Sequence, residues 1–267
     1  MKNDLMSSIK PDTPESASRY LVMVCTYNER ENLPSLLHDI GKSIEEADIL
    51  VIDDNSPDGT GDWVRKEKET NPKLCLIQRS AKLGLGSAIR TGLKYAIEQK
   101  YSCVVNMDAD YSHDPKCIPT LISAVRESPS RLDIAIGSRY VSGGKISGLS
   151  LFRRVLSQAI NAYARQLLGL RIGDWSSSFR AYNTDILAKI DFASLKCNGY
   201  GSLQEILWHA HCCGARIGEY PIHYINRKRG KSKISWHDAY GALHTIHRLA
   251  ITRLFKNNLA DRSKDAL

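Results

Sequence analysis

The chain has 267 residues, of which 42% are hydrophobic and 25% charged, with 18 Gly and 9 Pro. This composition is ordinary for a globular protein and excludes collagen-like and wholly disordered chains, while the length allows one large domain or two small ones. The 37 Lys and Arg residues outnumber the 29 Asp and Glu residues, giving a net charge of +8. A basic surface favours anionic partners such as nucleic acid, acidic lipid or phosphorylated substrates.

Targeting signals and disulfide patterns are missing from the sequence. No apolar run approaches the roughly 18 residues that span a bilayer, and residues 1–20 lack the hydrophobic region of a signal peptide. The seven cysteines are an odd number without CxxC spacing. We therefore expect a cytosolic protein with free thiols.

The first half of the chain alternates short apolar runs with helical patterns. The apolar runs, each too short for a helix, predict strands over residues 20–25, 49–52, 74–78, 103–107 and 134–136. The stretches between them predict helices over residues 32–42, 62–70, 87–99 and 115–126. This order predicts an α/β fold with a mainly parallel sheet flanked by helices, and functional loops at the carboxyl ends of the strands.

The second half of the chain does not continue this regular alternation of strands and helices. A Gly-rich stretch precedes a helical pattern over residues 151–170, and residues 172–182 read as a turn-rich segment. A helix over 202–213, an extended segment over 216–226 broken by Pro221, and a final amphipathic helix over 235–258 follow.

The strongest local signal is a pair of acids after the fourth predicted strand. Asp108 and Asp110 are two residues apart, so in extended backbone their carboxylates point the same way. Together they could hold one divalent cation, Mg²⁺ or Mn²⁺, and through it the phosphates of a nucleotide. The alternative is a solvated Asp-rich turn that caps the next helix.

Polar groups also follow the first two predicted strands. Residues 53–60, Asp-Asp-Asn-Ser-Pro-Asp-Gly-Thr, could accept hydrogen bonds from a base or ribose, or could form a plain turn. Residues 25–30 offer Tyr27 and Glu29 at the neighbouring strand end, although Glu29 could equally be a first-turn helix acid. Residues 82–87 are glycine-rich but lack a nucleotide-loop fingerprint, which favours a helix-entry turn.

Basic groups cluster late in the chain. Arg139, Arg153 and the run at 227–233 could bind a second, phosphorylated substrate, or could form a solvated basic face. Nucleic acid is disfavoured because the aromatic ladder of a single-strand binder is missing. His209 and Cys213 share a helix face, but no second pair of ligands at zinc spacing accompanies them, so we expect no zinc there.

Several motifs together resemble one known family, the dolichol-phosphate mannosyltransferases. These are inverting family 2 glycosyltransferases with an A-type nucleotide-diphosphosugar transferase fold. The resemblance covers residues 20–234, and its most specific motif is Asp-Asp-Asn-Ser-Pro-Asp-Gly-Thr. The matching motifs lie at residues 24–34, 51–60, 83–86, 108–110, 137–140, 178–180 and 230–233.

The resemblance implies transfer of mannose from GDP-mannose to a polyisoprenyl phosphate, with Mg²⁺ or Mn²⁺ held by Asp108 and Asp110. It also implies that Asp108, Asp110 and Arg139 form the catalytic group. The acceptor phosphate would contact Arg139, Arg153 and Ser157. The implied nucleotide-sugar site consists of Tyr27, Glu29, Asp54, Asp108, Ala109, Asp110, Arg227 and Lys233.

This sequence departs from the family pattern at three places. Ser112 stands where some relatives have a Gln metal ligand, Cys25 stands where the family usually has Pro, and residues 175–178 replace a Thr/Ser-Gly run. These departures leave open a third protein ligand, the fit of the base pocket, and the choice of sugar or acceptor.

The chemistry needs no dedicated base, because a phosphomonoester with a second pKa of about 6 is mostly dianionic at neutral pH. We expect three parts: a loose segment at 1–19, a catalytic domain at 20–234, and an amphipathic helix with a tail at 235–267. The pattern of that helix suits a helix packed on the domain as well as one lying in a membrane interface. Together with the helix at 151–170 it predicts peripheral attachment at the cytosolic face of a membrane, and the resemblance allows a membrane-anchoring partner subunit. Two rivals remain: a family 2 transferase for glucose or another sugar, and a basic membrane or nucleic-acid adaptor.

Overall fold

The computed structural model describes residues 19–126, 131–227 and 236–264. The predicted loose segment up to residue 18, the motif at 230–233 and the candidate Lys233 lie outside the described residues.

The strands and helices of the first half are confirmed, with shifts of only a few residues at their ends. The strands are β1 Tyr20–Thr26, β2 Asp48–Asp53, β3 Leu74–Gln78, β4 Cys103–Asp108 and β5 Ile134–Ser138. The helices are α1 Leu33–Ser43, α2 Thr60–Thr70, α3 Leu85–Glu98 and α4 Ile118–Arg126, the last preceded by a short 3₁₀ turn at Pro115–Cys117.

The described residues of the second half form four strands and four helices. They are β6 Lys145–Ser147, α5 Leu151–Leu168, β7 Arg180–Asn183, α6 Thr184–Leu187, α7 Ser202–Cys212, β8 Ile217–Pro221, β9 His223–Ile225 and α8 Trp236–Lys264. The predicted turn-rich segment 172–182 is therefore wrong at its end, where β7 begins. The helices at 151–170 and 202–213 and the extended segment broken at Pro221 are confirmed.

Seven strands form the central sheet in the order β3-β2-β1-β4-β7-β5-β8, and β6 pairs with β9 in a small second sheet. The central sheet is parallel except for β7, which runs antiparallel to both β4 and β5. Because β7 is reversed, the residues that precede it lie at the same edge as the ends of its parallel neighbours.

Both faces of the sheet are covered, so the inner strands are apolar on both sides. In β1, Leu21 and Met23 join one layer of the core and Val22 and Val24 join the other. The first layer includes buried residues of α3, α5, α7 and α8, and the second includes those of α1 and α4. This packing holds the strand ends in a fixed geometry.

Within the described ranges, no helix combines the length and apolar character needed to cross a membrane.

Candidate active site

The carboxyl ends of β1, β2 and β4 meet at one edge of the sheet. Thr26 of β1 is in register with Asp53 of β2, and Cys25 is in register with Asp108 of β4. The polar loops that follow these strands are therefore neighbours, as the sequence predicted.

Two acids of the loop at 53–60 link this loop to the end of β1 and to the loop that follows β1. Asp53 is fully buried and accepts hydrogen bonds from Thr26 Oγ1 at 3.0 Å and from the Ser56 N–H at 3.0 Å. Asp58 accepts from the Arg30 N–H at 3.0 Å and from Thr60 Oγ1 at 2.6 Å. These carboxylates act as structural cross-links between the first two strand ends.

Asp54, between them in sequence, faces a different neighbour. Its carboxylate pairs with Arg79 and accepts the N–H groups of Leu83 and Gly84 at 3.1 and 3.2 Å. Asp54 thus fastens the glycine-rich loop, which we define as residues 82–86. The role of Asp54 in nucleotide binding stays a prediction, and Arg79 is a residue that the sequence reasoning missed.

Tyr27 and Glu29 lie on the same side of this edge. The ammonium group of Lys82 is 4.4 Å from the centre of the Tyr27 ring, which brings the glycine-rich loop over the end of β1. Glu29 is only 7% exposed and accepts a 2.8 Å hydrogen bond from the side chain of Asn32. The roles of Tyr27 and Glu29 in nucleotide binding stay predictions.

The acid pair after β4 is close to Arg227. Asp110 is buried, and its second oxygen is 2.6 Å from the Arg227 guanidinium, which is also 3.7 Å from Glu29. Ala109 between the acids is buried. Burial, together with the Asp110 carboxylate, raises the pKa of Asp108, and the positive charge of Arg227 opposes this rise.

His113 is a site residue that the sequence reasoning did not single out. It is 3% exposed, its Nδ1 is 3.5 Å from the Asp108 amide nitrogen, and its ring stacks on Phe179 with centroids 5.0 Å apart. Burial lowers its pKa, which favours a neutral imidazole beside the acid pair. Its only signal in the sequence is its place three residues after Asp110.

The donors around the acid pair fit a hard divalent cation. Asp108 and Asp110 offer carboxylate oxygens, and the buried Ser112 Oγ beside them has no hydrogen-bond partner among the described residues. Over that same part of the chain, no group of three or more His, Cys, Asp or Glu side chains is arranged to hold a metal, His209 and Cys213 included. A cation on the two acids would therefore complete its coordination with other oxygen donors, such as a diphosphate and water.

Arg139 is held by a buried carboxylate. Asp174 is fully buried and accepts hydrogen bonds from the Arg139 backbone N–H at 3.0 Å and from Nε and Nη2 at 2.7 Å each. Nη2 also donates to Ser176 Oγ at 2.6 Å. Burial alone would raise the pKa of Asp174, but the Arg139 guanidinium brings it below its usual value.

Residues at the start of α5 and Arg139 line one cavity. Tyr140 Oη donates to Ser157 Oγ at 2.8 Å, and Asn161 on the next turn of α5 bonds to Ser176. A cavity of about 460 Å³ is lined by Asp108, His113, Arg139, Arg153, Ser157 and Arg227, and on its apolar side by Leu149, Phe152, Leu156 and Ile160. Tyr27, Glu29 and Asp54 do not line this cavity, but Arg227, which does, lies 3.7 Å from Glu29.

Helices α5 and α8 pack together and still expose large apolar side chains. Arg253 of α8 donates to the Leu167 carbonyl of α5 at 2.8 Å, which fixes the pair. The exposed side chains include Leu151, Phe152 and Val155 on α5 and Tyr240, Ile251, Leu254 and Phe255 on α8. The sequence left open whether the last helix packs on the domain or lies in an interface, and its geometry is compatible with both.

A mostly parallel sheet with helices on both faces, and with paired acids at its carboxyl edge beside a cavity lined by arginines, defines an A-type glycosyltransferase fold. Solved structures agree on this fold. Glucosyl-3-phosphoglycerate synthase from Mycobacterium tuberculosis, in complex with Mn²⁺, UDP and phosphoglyceric acid, superposes with a TM-score of 0.64 at 16% identity, covering 88% of this chain and 79% of that one. The chain belongs to glycosyl transferase family 2, whose model matches residues 21–191.

Two curated relatives are closer in sequence. The chain is 40% identical to undecaprenyl-phosphate mannosyltransferase of Micrococcus luteus over 217 residues, which is 81% of this chain and 88% of the relative. It is 39% identical to polyprenol monophosphomannose synthase of Mycolicibacterium smegmatis over 226 residues, 84% of each. These relatives confirm the resemblance drawn from the motifs.

Proposed function

We propose that the protein transfers mannose from GDP-mannose to a polyisoprenyl phosphate, with inversion at the anomeric carbon. The observation that carries this proposal is that Asp108 of the acid pair, Arg139 and Arg153 line the same cavity. An acid pair that can bind a metal diphosphate and arginines that can bind a phosphate then lie on either side of one space. The two curated relatives, whose names include transfer to undecaprenyl phosphate and synthesis of polyprenol monophosphomannose, support the same sugar and acceptor.

The acceptor half of the site would bind the lipid phosphate and its first isoprene units. Arg153 and Ser157 of α5 line the cavity. Arg139 also lines it, and its guanidinium is hydrogen-bonded to Asp174. The apolar side chains Phe152 and Leu156 line the same space and suit a hydrocarbon chain. Guanidinium groups hold a phosphate through charge-assisted hydrogen bonds, and they leave one phosphate oxygen directed at the sugar.

The donor half would hold the nucleotide and the departing diphosphate. We assign the nucleoside to Tyr27, Glu29 and Asp54, and the diphosphate to residues 108–110 and Arg227. Lys233 is assigned to the same role from the resemblance. Mg²⁺ or Mn²⁺ on Asp108 and Asp110 would supply positive charge to the leaving diphosphate.

In the reaction, a phosphate oxygen of the acceptor forms the bond to the anomeric carbon on the face opposite the leaving group. The bond from that carbon to the diphosphate breaks, and its electron pair stays on the diphosphate. No base is required, because the acceptor is already mostly dianionic at neutral pH. Arg139 and Arg227 hold the two anions in line, which is the main task that the chain performs.

A donor panel with the purified full chain tests the proposal. Radiolabelled GDP-mannose, GDP-glucose and UDP-glucose would each be offered with undecaprenyl phosphate in detergent, with undecaprenol as the matched acceptor that lacks the phosphate. We expect labelled lipid from GDP-mannose and the phosphate acceptor only, with the anomeric configuration inverted by NMR. Transfer from UDP-glucose instead would establish the rival donor, and metal-independent binding of anionic liposomes without nucleotide binding would establish the adaptor.

We further propose that the protein works as a peripheral protein at the cytosolic face of a membrane, through the exposed side chains of α5 and α8. A lipid acceptor must reach the cavity at the start of α5, and Phe152 there is 61% exposed. The double change Leu254→Ser and Phe255→Ser should lower co-sedimentation with anionic liposomes, whereas Arg65→Ser on the exposed face of α2 should not. Equal sedimentation of all three proteins would remove α8 as an anchor and favour a separate anchoring subunit.

A further inference from the structure

A short stretch of chain before α7 packs directly against the glycine-rich loop. We define this stretch, residues 196–201, as the bridging segment. The Gly86 N–H donates to the Asn198 carbonyl at 2.9 Å. A Cβ at Gly84 would lie 2.7 Å from that carbonyl oxygen, and one at Gly86 would lie 2.7 Å from the Gly199 carbonyl oxygen. The two surfaces touch without space between them, so the position of the bridging segment determines the position of the loop.

Helix α3, which follows the glycine-rich loop, reinforces this contact. Arg90 of α3 donates one guanidinium nitrogen to the Cys197 carbonyl and another to the Asn198 side chain. The loop and the first turns of α3 are therefore bonded to the bridging segment at several points.

The other side of the bridging segment rests on helix α8. Glu205 of α7 is fully buried, and its carboxylate accepts the N–H groups of Lys196 and Cys197 at 3.0 and 2.9 Å. The third partner of this carboxylate is the guanidinium of Arg248, on α8. A Cβ at Gly201 would lie 2.6 Å from Thr245 Oγ1, so α8 and the bridging segment are also in direct contact.

On its far side the glycine-rich loop reaches the proposed donor residues. Leu83 and Gly84 donate their N–H groups to Asp54, and Lys82 lies 4.4 Å from the centre of the Tyr27 ring. A continuous set of hydrogen bonds and close contacts thus runs from α8 through Glu205, the bridging segment and the glycine-rich loop to Asp54. Arg248 itself does not line the cavity.

We propose that Arg248 is a positioning residue for the donor nucleotide: by completing the partners of Glu205 it holds the bridging segment, and therefore the glycine-rich loop, in the form that binds the nucleotide. The inference rests on the proposed function in one respect, namely that Tyr27 and Asp54 contact that nucleotide. Loss of Arg248 leaves the buried Glu205 carboxylate with one partner fewer, and a buried charge that loses a partner draws water or moves. The bridging segment is bonded to that carboxylate and would move with it.

The decisive comparison uses two arginines of the same helix. Arg248→Gln removes the contact with Glu205, whereas Arg253→Gln removes the contact of α8 with Leu167 on α5. GDP affinity in the presence of Mn²⁺ is measured by calorimetry on the full chain. Amide hydrogen exchange of residues 83–87 is measured on the same proteins without nucleotide. We expect at least a fivefold loss of affinity and faster exchange in the Arg248 variant, and wild-type values in the Arg253 variant.

Steady-state kinetics separate positioning from general loss of structure. The Arg248 variant should raise the donor KM and leave the acceptor KM unchanged. Arg248→Lys keeps a positive charge beside Glu205 and guards against a variant that fails to fold, and its affinity and exchange should lie between those of the wild type and of Arg248→Gln. Wild-type affinity and exchange in every folded Arg248 variant would overturn the inference, as would an equal effect of Arg253→Gln.

The two readouts also separate this inference from the proposed function. If the wild type does not bind GDP with Mn²⁺ but exchange at residues 83–87 still rises in the Arg248 variants alone, the contact path is supported and the donor assignment fails. If the wild type binds GDP and the Arg248 variants match it in both readouts, the donor assignment survives and the positioning role fails.

Discussion

Replacing Asp174 with Asn should destabilise the protein strongly, because it leaves the Arg139 guanidinium almost buried and without a counter-charge. The side chain of Arg139 is 11% exposed and that of Asp174 is 0% exposed, and three hydrogen bonds from Arg139 end on this carboxylate. The substitution puts an amide N–H₂ group where an acceptor oxygen stood. Removing one partner of a buried ion pair costs about 3–5 kcal/mol. At about 2–4 °C per kcal/mol for a chain of this size, the melting temperature should fall by roughly 6–20 °C.

Urea denaturation at pH 7 measures this change in the free energy of unfolding. Asp62→Asn is the control, since Asp62 pairs with Arg65 at 2.7 Å on the surface, where both side chains are more than half exposed, and it should have almost no effect. The double variant Arg139→Gln, Asp174→Asn should be more stable than the sum of the two single changes predicts, because no charge is then left alone. A loss below about 1 kcal/mol for Asp174→Asn, or simple additivity in the double variant, would refute the reasoning.

The pH dependence gives a second check on the same pair. The folded pKa of Asp174 lies below its ordinary value, which is about 3.9 in an unfolded chain. Its stabilisation is therefore fully present above the unfolded pKa and is lost as the pH falls through the folded pKa. The stability gap between the wild type and the Asn variant should be constant from about pH 5 to 8 and should shrink in acid below about pH 4. A gap that widens on acidification would contradict this assignment of charges.

Three further changes test the proposed site. Asp110→Asn should reduce Mn²⁺-dependent GDP binding at least tenfold by calorimetry, measured on protein shown to be folded by circular dichroism because the change also removes the partner of Arg227, and undiminished binding would remove the acid pair from the metal site. Arg153→Ala should raise the acceptor KM by about tenfold or more, the loss of a charge-assisted hydrogen bond of roughly 1.5–3 kcal/mol, whereas Arg154→Ala, outside the cavity, should leave it unchanged. Gly86→Ala should weaken GDP binding and lower the melting temperature, since its Cβ would meet the Gly199 carbonyl oxygen at 2.7 Å, and wild-type behaviour would show that the loop has room to move.

The strands and helices of the first half could be read from the sequence because each carries an apolar pattern of its own. Strand β7 could not, since its four residues, Arg-Ala-Tyr-Asn, include a charged side chain. Arg180 is nevertheless fully buried, and its guanidinium donates to the carbonyls of Leu203 and Trp175 at 2.8 and 2.7 Å. Leu203 is distant in sequence and Trp175 lies in a loop, so no local sequence pattern indicates either partner.

Some residues of the candidate site could likewise be predicted from the sequence, and the roles of others could not. Asp108 and Asp110 are identified by their own spacing after a strand, whereas Asp53, Asp54 and Asp58 look equivalent in sequence. The structure separates these three, because Asp53 and Asp58 bond within their own loop and to Thr26 and Arg30, while Asp54 fastens a different loop with Arg79. Which way a side chain points in a turn depends on partners 25 or more residues away, such as Arg79 and Leu83.

The reversed strand β7 has a consequence for how this site can change over evolutionary time. Asp174 and Ser176 lie in the segment just before β7, in the same half of the chain as Arg139, while the acids proposed for the nucleotide side, from Glu29 to Asp110, lie in the first half. These two groups of residues are separate pieces of chain, with Arg227 of the proposed donor half following both, and Asn106 of β4 paired with Arg180 of β7 joins them in the sheet. On the proposed assignment, exchange of residues 139–178 as a block would bring in a new acceptor site while Asp54, Asp108, Asp110 and Arg227 stay in place, and the same block is the unit to graft when a new acceptor is wanted on this fold.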